Sequence, residues 1–66
     1  MRKFEITYHL VGNITVERIV EAETFKKAKE YIQVNTYHSF SDDNKVYYEF
    51  NGRNIVLATI QELKEY

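Results

Sequence analysis

Residues 3 to 11, KFEITYHLV, put Phe4, Ile6, Tyr8 and Leu10 on one side and Glu5, Thr7 and His9 on the other. That period of two predicts a half-buried strand. Residues 14 to 23, ITVERIVEAE, alternate again, with Val16, Val20 and Ala22 against Glu17, Ile19 and Glu21. Gly12 and Asn13 lie between the two runs and both tolerate positive φ, so a hairpin is expected. A two-residue loop would set Phe4 opposite Glu21 and mix polar with apolar residues on both faces. A shift of one residue aligns Phe4 with Ala22, Ile6 with Val20 and Leu10 with Val16, which predicts a loop of three or five residues with a bulge.

Thr24 fits a helix N-cap, and FKKAKEYIQV after it places Phe25, Ala28, Ile32 and, at the margin, Tyr31 on one helical face. The helix should stop near Asn35, because NTYHSFSDDN holds turn formers and aromatics without helical spacing and reads as a loop of about ten residues. Residues 45 to 50, KVYYEF, and 53 to 58, RNIVLA, flank Asn51-Gly52, a strong short hairpin signal. A two-residue turn there pairs Phe50 with Arg53, Tyr48 with Ile55 and Val46 with Leu57. The ending TIQELKEY has two readings, a short helix opened by the Thr59/Glu62 capping box or a bent continuation of the last strand.

The elements add up to an α+β chain in ββαββ order, one domain over residues 1–66. One helix is expected on one face of a four-stranded, mostly antiparallel sheet. The expected core is Phe4, Ile6, Tyr8, Leu10, Val16, Val20, Phe25, Ala28, Ile32, Val46, Tyr48, Ile55 and Leu57.

Composition narrows the function. The chain has 66 residues, room for one core and no second. It contains no Cys, which excludes disulfides, thiolate chemistry and Cys-based zinc sites and fits a reducing, cytoplasmic setting. Arg2 and Lys3 follow Met1 and no long apolar run comes after them, so neither a signal peptide nor a membrane span is expected. A formal charge of −1 lacks the bulk basicity of a nonspecific nucleic-acid binder. Six Tyr and four Phe make the chain 15% aromatic, more rings than so small a core should bury.

Catalytic chemistry is hard to assemble from these residues. His38-Ser39 is the one adjacent base and hydroxyl, without a glycine elbow or oxyanion motif around it. His9, His38, Asp42 and Asp43 lack metal-ligand spacing, and Ser41 to Asn44 reads as an Asx-type turn. Two glycines forty residues apart cannot write a phosphate loop. No catalytic residue, metal or cofactor is therefore expected.

Three features remain. On the far face of the sheet the expected registers gather Tyr47, Ile19, Val11, His9 and Val56 with Thr7, Glu5, Glu17 and Glu49, an apolar strip rimmed by acids that would suit a homodimer or protein-partner interface. Good strand formers on either face would give the same pattern. Lys26, Lys27 and Lys29 oppose the helix macrodipole and would favour an anion there. Tyr37, His38, Phe40, Tyr47 and Tyr48 form an aromatic loop near Arg53. With the lysines, Tyr37 and Arg53 give an alternative single-stranded nucleic-acid site, although Asp42, Asp43 and Glu49 oppose it. Packing of Phe40 and one Tyr into the open end of the core is the other reading of these rings.

The stretches ITVERIVEAETFKKAKEYI and NKVYYEFNGRNIVLATIQELKEY, with "VEAET" entering a short Ala-containing helix and an I-x-x-L-x-E ending, resemble small uncharacterised ββαββ proteins of phages and mobile elements of low-GC Gram-positive bacteria. The resemblance covers most of the chain. It implies an accessory protein that binds and modulates a host or phage component, and it assigns no activity and no functional residue.

Overall fold

The computed structural model describes residues 1–64 and shows an α+β fold with five strands in two antiparallel sheets. Strands β1 (Arg2–Leu10), β2 (Ile14–Ala22) and β5 (Ile55–Leu63) form one sheet in the order β2-β1-β5. Strands β3 (Tyr37–Ser41) and β4 (Tyr47–Asn51) form a separate two-stranded ribbon. The single four-stranded sheet expected from the sequence is thus replaced by a three-stranded sheet facing a ribbon.

The first hairpin keeps the expected faces but not the expected partners. Phe4 pairs with Val20, Tyr8 with Val16 and Leu10 with Ile14, across a three-residue loop, Val11 to Asn13. Both the expected and the observed registers leave Phe4, Ile6, Tyr8 and Leu10 inward. The turn selects the shorter loop, since Gly12 (φ 88°) and Asn13 (φ 62°) take the left-handed conformations available to those two residue types.

Asn51-Gly52 is not a hairpin turn. Gly52–Asn54 form a short 3₁₀ turn that carries the chain from the ribbon to the sheet, with Asn51 Oδ1 accepting from the Arg53 backbone N–H at 3.0 Å. Gly52 does not take positive φ. It is buried where a Cβ would stand 2.6 Å from the carbonyl oxygens of both Gln33 and Thr36. The glycine serves close approach of two backbones, and its N–H donates to the Thr36 carbonyl at 2.9 Å. Without that hairpin the expected pairs of residues 45–50 with 53–58 dissolve. Instead β4 pairs with β3, inside the segment expected to be a loop, setting His38 opposite Phe50 and Phe40 opposite Tyr48.

Thr24 caps α1 (Phe25–Ala28), its Oγ1 accepting from the Lys27 N–H at 3.1 Å. After one turn the chain tightens to 3₁₀ at Lys29–Ile32. The carbonyls that would have extended the helix are taken by tertiary partners: Tyr31 O accepts from the Tyr8 hydroxyl at 2.6 Å, and Gln33 O accepts from His38 Nε2 at 2.6 Å. Of the two endings foreseen, strand continuation is observed as far as Leu63, with Ile6 opposite Ile60 and Thr7 opposite Thr59; residues 65 and 66 lie outside the described residues.

The core lies between the inner face of the sheet and the inner face of the ribbon, with Phe4, Ile6 and Tyr8 fully buried. Each is worth about 1.5–3 kcal/mol of apolar burial. Tyr8 is the hub, its ring 5.0 Å from Phe50, 5.5 Å from His38 and 6.3 Å from Phe40. Val16, Val20, Ala28, Ile32, Tyr48 and Ile55 join as expected, whereas Phe25, Val46 and Leu57 are about half exposed. A one-turn helix is too short to bury its leading ring, Phe25. Val46 belongs to the ribbon's turn, and Leu57 faces away from the core opposite His9. Phe40, Phe50, Ala22 and His38 are buried in addition.

Candidate protein-binding groove

The two-sheet architecture separates residues that a single sheet would have gathered. The outer face of the three-stranded sheet carries cross-strand rows Thr15–His9–Leu57, Glu17–Thr7–Thr59, Ile19–Glu5–Gln61 and Glu21–Lys3–Leu63. His9 and Ile19 therefore sit on a largely polar surface. Val56 is the extra residue of a bulge, where the β1–β5 register shifts between His9 and Leu10. Tyr47 lies on the outer face of the ribbon with Tyr37, Ser39 and Glu49, because the ribbon packs its other face on Tyr8. The expected strip of Tyr47, Ile19, Val11, His9 and Val56 is split across different surfaces.

Two of those five do meet. A groove of about 800 Å³ runs between β4 and the β1–β2 hairpin and is lined by Tyr47 and Val11. With them stand Ile14 and Tyr37, so that four large apolar residues, each 54–61% exposed, border one concavity. Its floor is Leu10, Val16, Tyr48 and Phe50, and Thr15, Asn51 and Asn54 supply polar groups. The Val11 N–H donates to the Asn54 carbonyl at 2.9 Å, tying the hairpin tip to the turn before β5. Such a volume is ordinary for a binding cleft.

Glu49 is the single charged residue of the lining. Its carboxylate accepts from the Tyr47 hydroxyl at 2.9 Å, and the Tyr37 hydroxyl lies 3.5 Å from its other oxygen. The charge of Glu49 raises the Tyr37 phenol above its ordinary pKa. On the inner side Tyr48 donates to Asp42 Oδ2 at 3.1 Å, which raises the Tyr48 phenol. The backbone N–H groups of Val46 and Asn44 both donate to Asp42 Oδ1. Those bonds, Val46 first, hold Asp42 below the usual carboxylate range. This is the Asx turn read from Ser41 to Asn44, and it fixes the end of β4 that carries Tyr47.

The residues considered for other chemistry are dispersed. His38 and Ser39 face opposite sides of β3, the first buried and bonded to Gln33 O, the second exposed. No relay joins them. Among the described residues no three His, Asp or Glu side chains converge as a metal ion requires. Lys26 and Lys27 stand in a single helical turn, where first and last turn coincide and the macrodipole argument lapses; Lys29 opens the 3₁₀ turn. Lys27 lines a cleft shared with Glu21, Glu23 and Glu30. Arg53 is exposed on the turn after β4, and Tyr37 faces Glu49. Among the described residues, neither the cleft that holds Lys27 nor the groove that holds Tyr37 and Tyr47 combines the lysines with these rings.

Ile14 is the groove residue that sequence reasoning passed over. It opens β2 opposite Leu10, whereas the expected register, with Leu10 opposite Val16, left it inside the loop. Tyr37 was noticed only for base stacking, because its strand was read as a loop. No helix among the described residues is long and apolar enough to cross a membrane. Comparison with protein-family models, curated proteins and solved structures gives no match to this chain.

Proposed function

We propose that this chain is a non-catalytic protein-binding module of the cytoplasm that engages its partner through the groove between β4 and the β1–β2 hairpin. The observation that carries this reading is the concentration of Val11, Ile14, Tyr37 and Tyr47, all more than half exposed, around one concavity. Exposed apolar residues scattered singly are ordinary, whereas a contiguous set around a cleft is the signature of a contact surface. Tyrosine suits such a surface, offering a large rigid ring and a hydrogen-bonding tip. An accessory role, of the kind the resemblance to phage and mobile-element proteins implies, needs no more than this. The single-stranded nucleic-acid alternative draws no support from the groove, whose one charge is negative.

The test is affinity capture from bacterial lysate by the tagged chain and by a Val11→Ser/Tyr47→Ser variant, with both eluates quantified by mass spectrometry. Proteins retained by the parent and lost from the variant are expected. Equal retention by both, or no retention together with a monomeric light-scattering mass, would falsify the reading. Binding of an oligonucleotide that weakens steeply with salt would move the assignment to nucleic acid.

A further inference from the structure

The backbone of β4 narrows what the groove can take. In an antiparallel ribbon, residues that exchange hydrogen bonds alternate with residues whose N–H and C=O point outward. Asp42 N–H donates to Val46 O, and Gly52 N–H donates to Thr36 O. In the β3–β4 register the bonded pairs therefore fall on even-numbered residues of β4. Tyr47 and Glu49 are left directing both N–H and C=O away from β3, where among the described residues no other strand pairs with β4. The Asn51 N–H points the same way, while its C=O is taken up by the first bond of the Gly52–Asn54 turn. The groove is lined by residues from both faces of β4, which sets it against this same edge. Row upon row, the edge offers donors and acceptors, with the rings of Tyr37 and Tyr47 above it and the carboxylate of Glu49 between them.

We propose that the occupant is an extended peptide segment of a partner protein. It adds as a strand to the free edge of β4 and sets a lysine or arginine against Glu49. This rests on the groove-binding reading above and deepens it. Strand addition satisfies the unpaired backbone groups, as edge strands require. Alternate side chains of the incoming segment meet Tyr37 and Tyr47 on one face of the ribbon and Val11 and Ile14 across the groove. A basic residue is selected because Glu49 is the one charge in the lining.

The experiment selects binders from a displayed library of random peptides about nine residues long, enough to span β4 and both flanks. The best peptide is then resynthesised with a single N-methyl group at each position in turn. Strand addition predicts a period of two, with affinity falling at least about fivefold at alternate positions and little between them. It also predicts protection of the Tyr47, Glu49 and Asn51 amides from hydrogen exchange on binding. Selected peptides should carry Lys or Arg, and both Glu49→Gln and replacement of that peptide residue by norleucine should weaken binding about tenfold. The peptide substitution tests the charge even if Glu49→Gln fails to fold. Peptides that lose affinity on Tyr47→Ser but show no N-methyl periodicity would overturn strand addition and leave groove binding standing. No selectable binder, or binders indifferent to both, would overturn both readings. A light-scattering mass of twice the monomer that reverts with Tyr47→Ser would give the edge to a second copy and overturn the proposal.

Discussion

Gly52→Ala adds one methyl group where two backbones already touch. Its Cβ would stand 2.6 Å from Gln33 O, 2.6 Å from Thr36 O and 2.9 Å from Val34 O. Carbon–oxygen contacts become comfortable only near ~3.3 Å, and all three obstacles are main chain, so the 33–36 segment must move as a whole. That segment is tethered at both ends, by His38 Nε2 on Gln33 O at 2.6 Å and by Gly52 N–H on Thr36 O at 2.9 Å. Overpacking costs about 1–3 kcal/mol, and three simultaneous backbone contacts put this substitution at the upper end, about 3 kcal/mol. An unfolding entropy of about 2.1 cal/mol/K per residue gives roughly 140 cal/mol/K for a chain of this length, so Tm should fall by about 20 °C. Gly12→Ala is the internal comparison. Gly12 sits at φ +88° with nothing within 4 Å, so its cost is conformational only, about 1 kcal/mol or roughly 7 °C. Thermal unfolding followed by far-ultraviolet circular dichroism measures both. A Gly52→Ala protein melting within about 5 °C of the parent, or above Gly12→Ala, refutes the close-approach account.

Arg18 lies with its guanidinium 4.0 Å from the Phe40 ring centre and 5.0 Å from that of Tyr31, bridging β2, the ribbon and the 3₁₀ turn. Arg18→Ala should cost about 1–2 kcal/mol in urea unfolding, and Arg18→Lys a smaller part of it; equal midpoints for Arg18→Ala and parent would discard the bridge. Tyr8→Phe keeps the central ring but removes the donor to Tyr31 O, and a loss of about 1 kcal/mol is expected, with an unchanged midpoint as the contrary result. Asp42 and Glu62 have folded-state pKa values below their unfolded ones, the first through the Val46 and Asn44 N–H groups and Tyr48, the second chiefly through its hydrogen bonds to Arg2. A depressed carboxylate stabilises the fold above its unfolded pKa, and that stability drains away as pH falls through the folded value. The urea midpoint should therefore drop as pH falls below about 4, and Asp42→Asn should flatten that part of the profile. An Asp42→Asn profile parallel to the parent's would rule out its share.

Alternation made the first hairpin legible, because a period of two over nine residues leaves one assignment of faces. It could not separate two registers of equal parity, and the local geometry of Gly12 and Asn13 made that choice. Asn51-Gly52 misled for a physical reason: a turn needing positive φ and a crossing with no room for a Cβ call for the same residue. β3 stayed hidden because its inward positions, His38 and Phe40, alternate with Tyr37, Ser39 and Ser41. A histidine whose Nε2 finds a buried carbonyl does not look apolar, and an exposed tyrosine does not look polar. Half of the groove followed from the sequence. Tyr47 and Val11 were identified as outward-facing from alternation and turn position, but their neighbourhood depended on how the two sheets stack. The sum of partly favourable contacts among Tyr8, His38, Phe40 and Phe50 decides that stacking, and no local pattern encodes it.

β1 is the middle strand of its sheet, with β2 on one side and β5, whose Leu63 meets Lys3, on the other. During synthesis the first hairpin can close early, and the ribbon that covers Tyr8 follows it, yet one edge of β1 stays unpaired until β5 has left the ribosome. Contacts that join residues so distant along the chain place this fold among slow folders for its size. A nascent chain stalled before β5 would present β1 as a bare apolar edge, and it should be there, rather than in the finished molecule, that a chaperone takes hold.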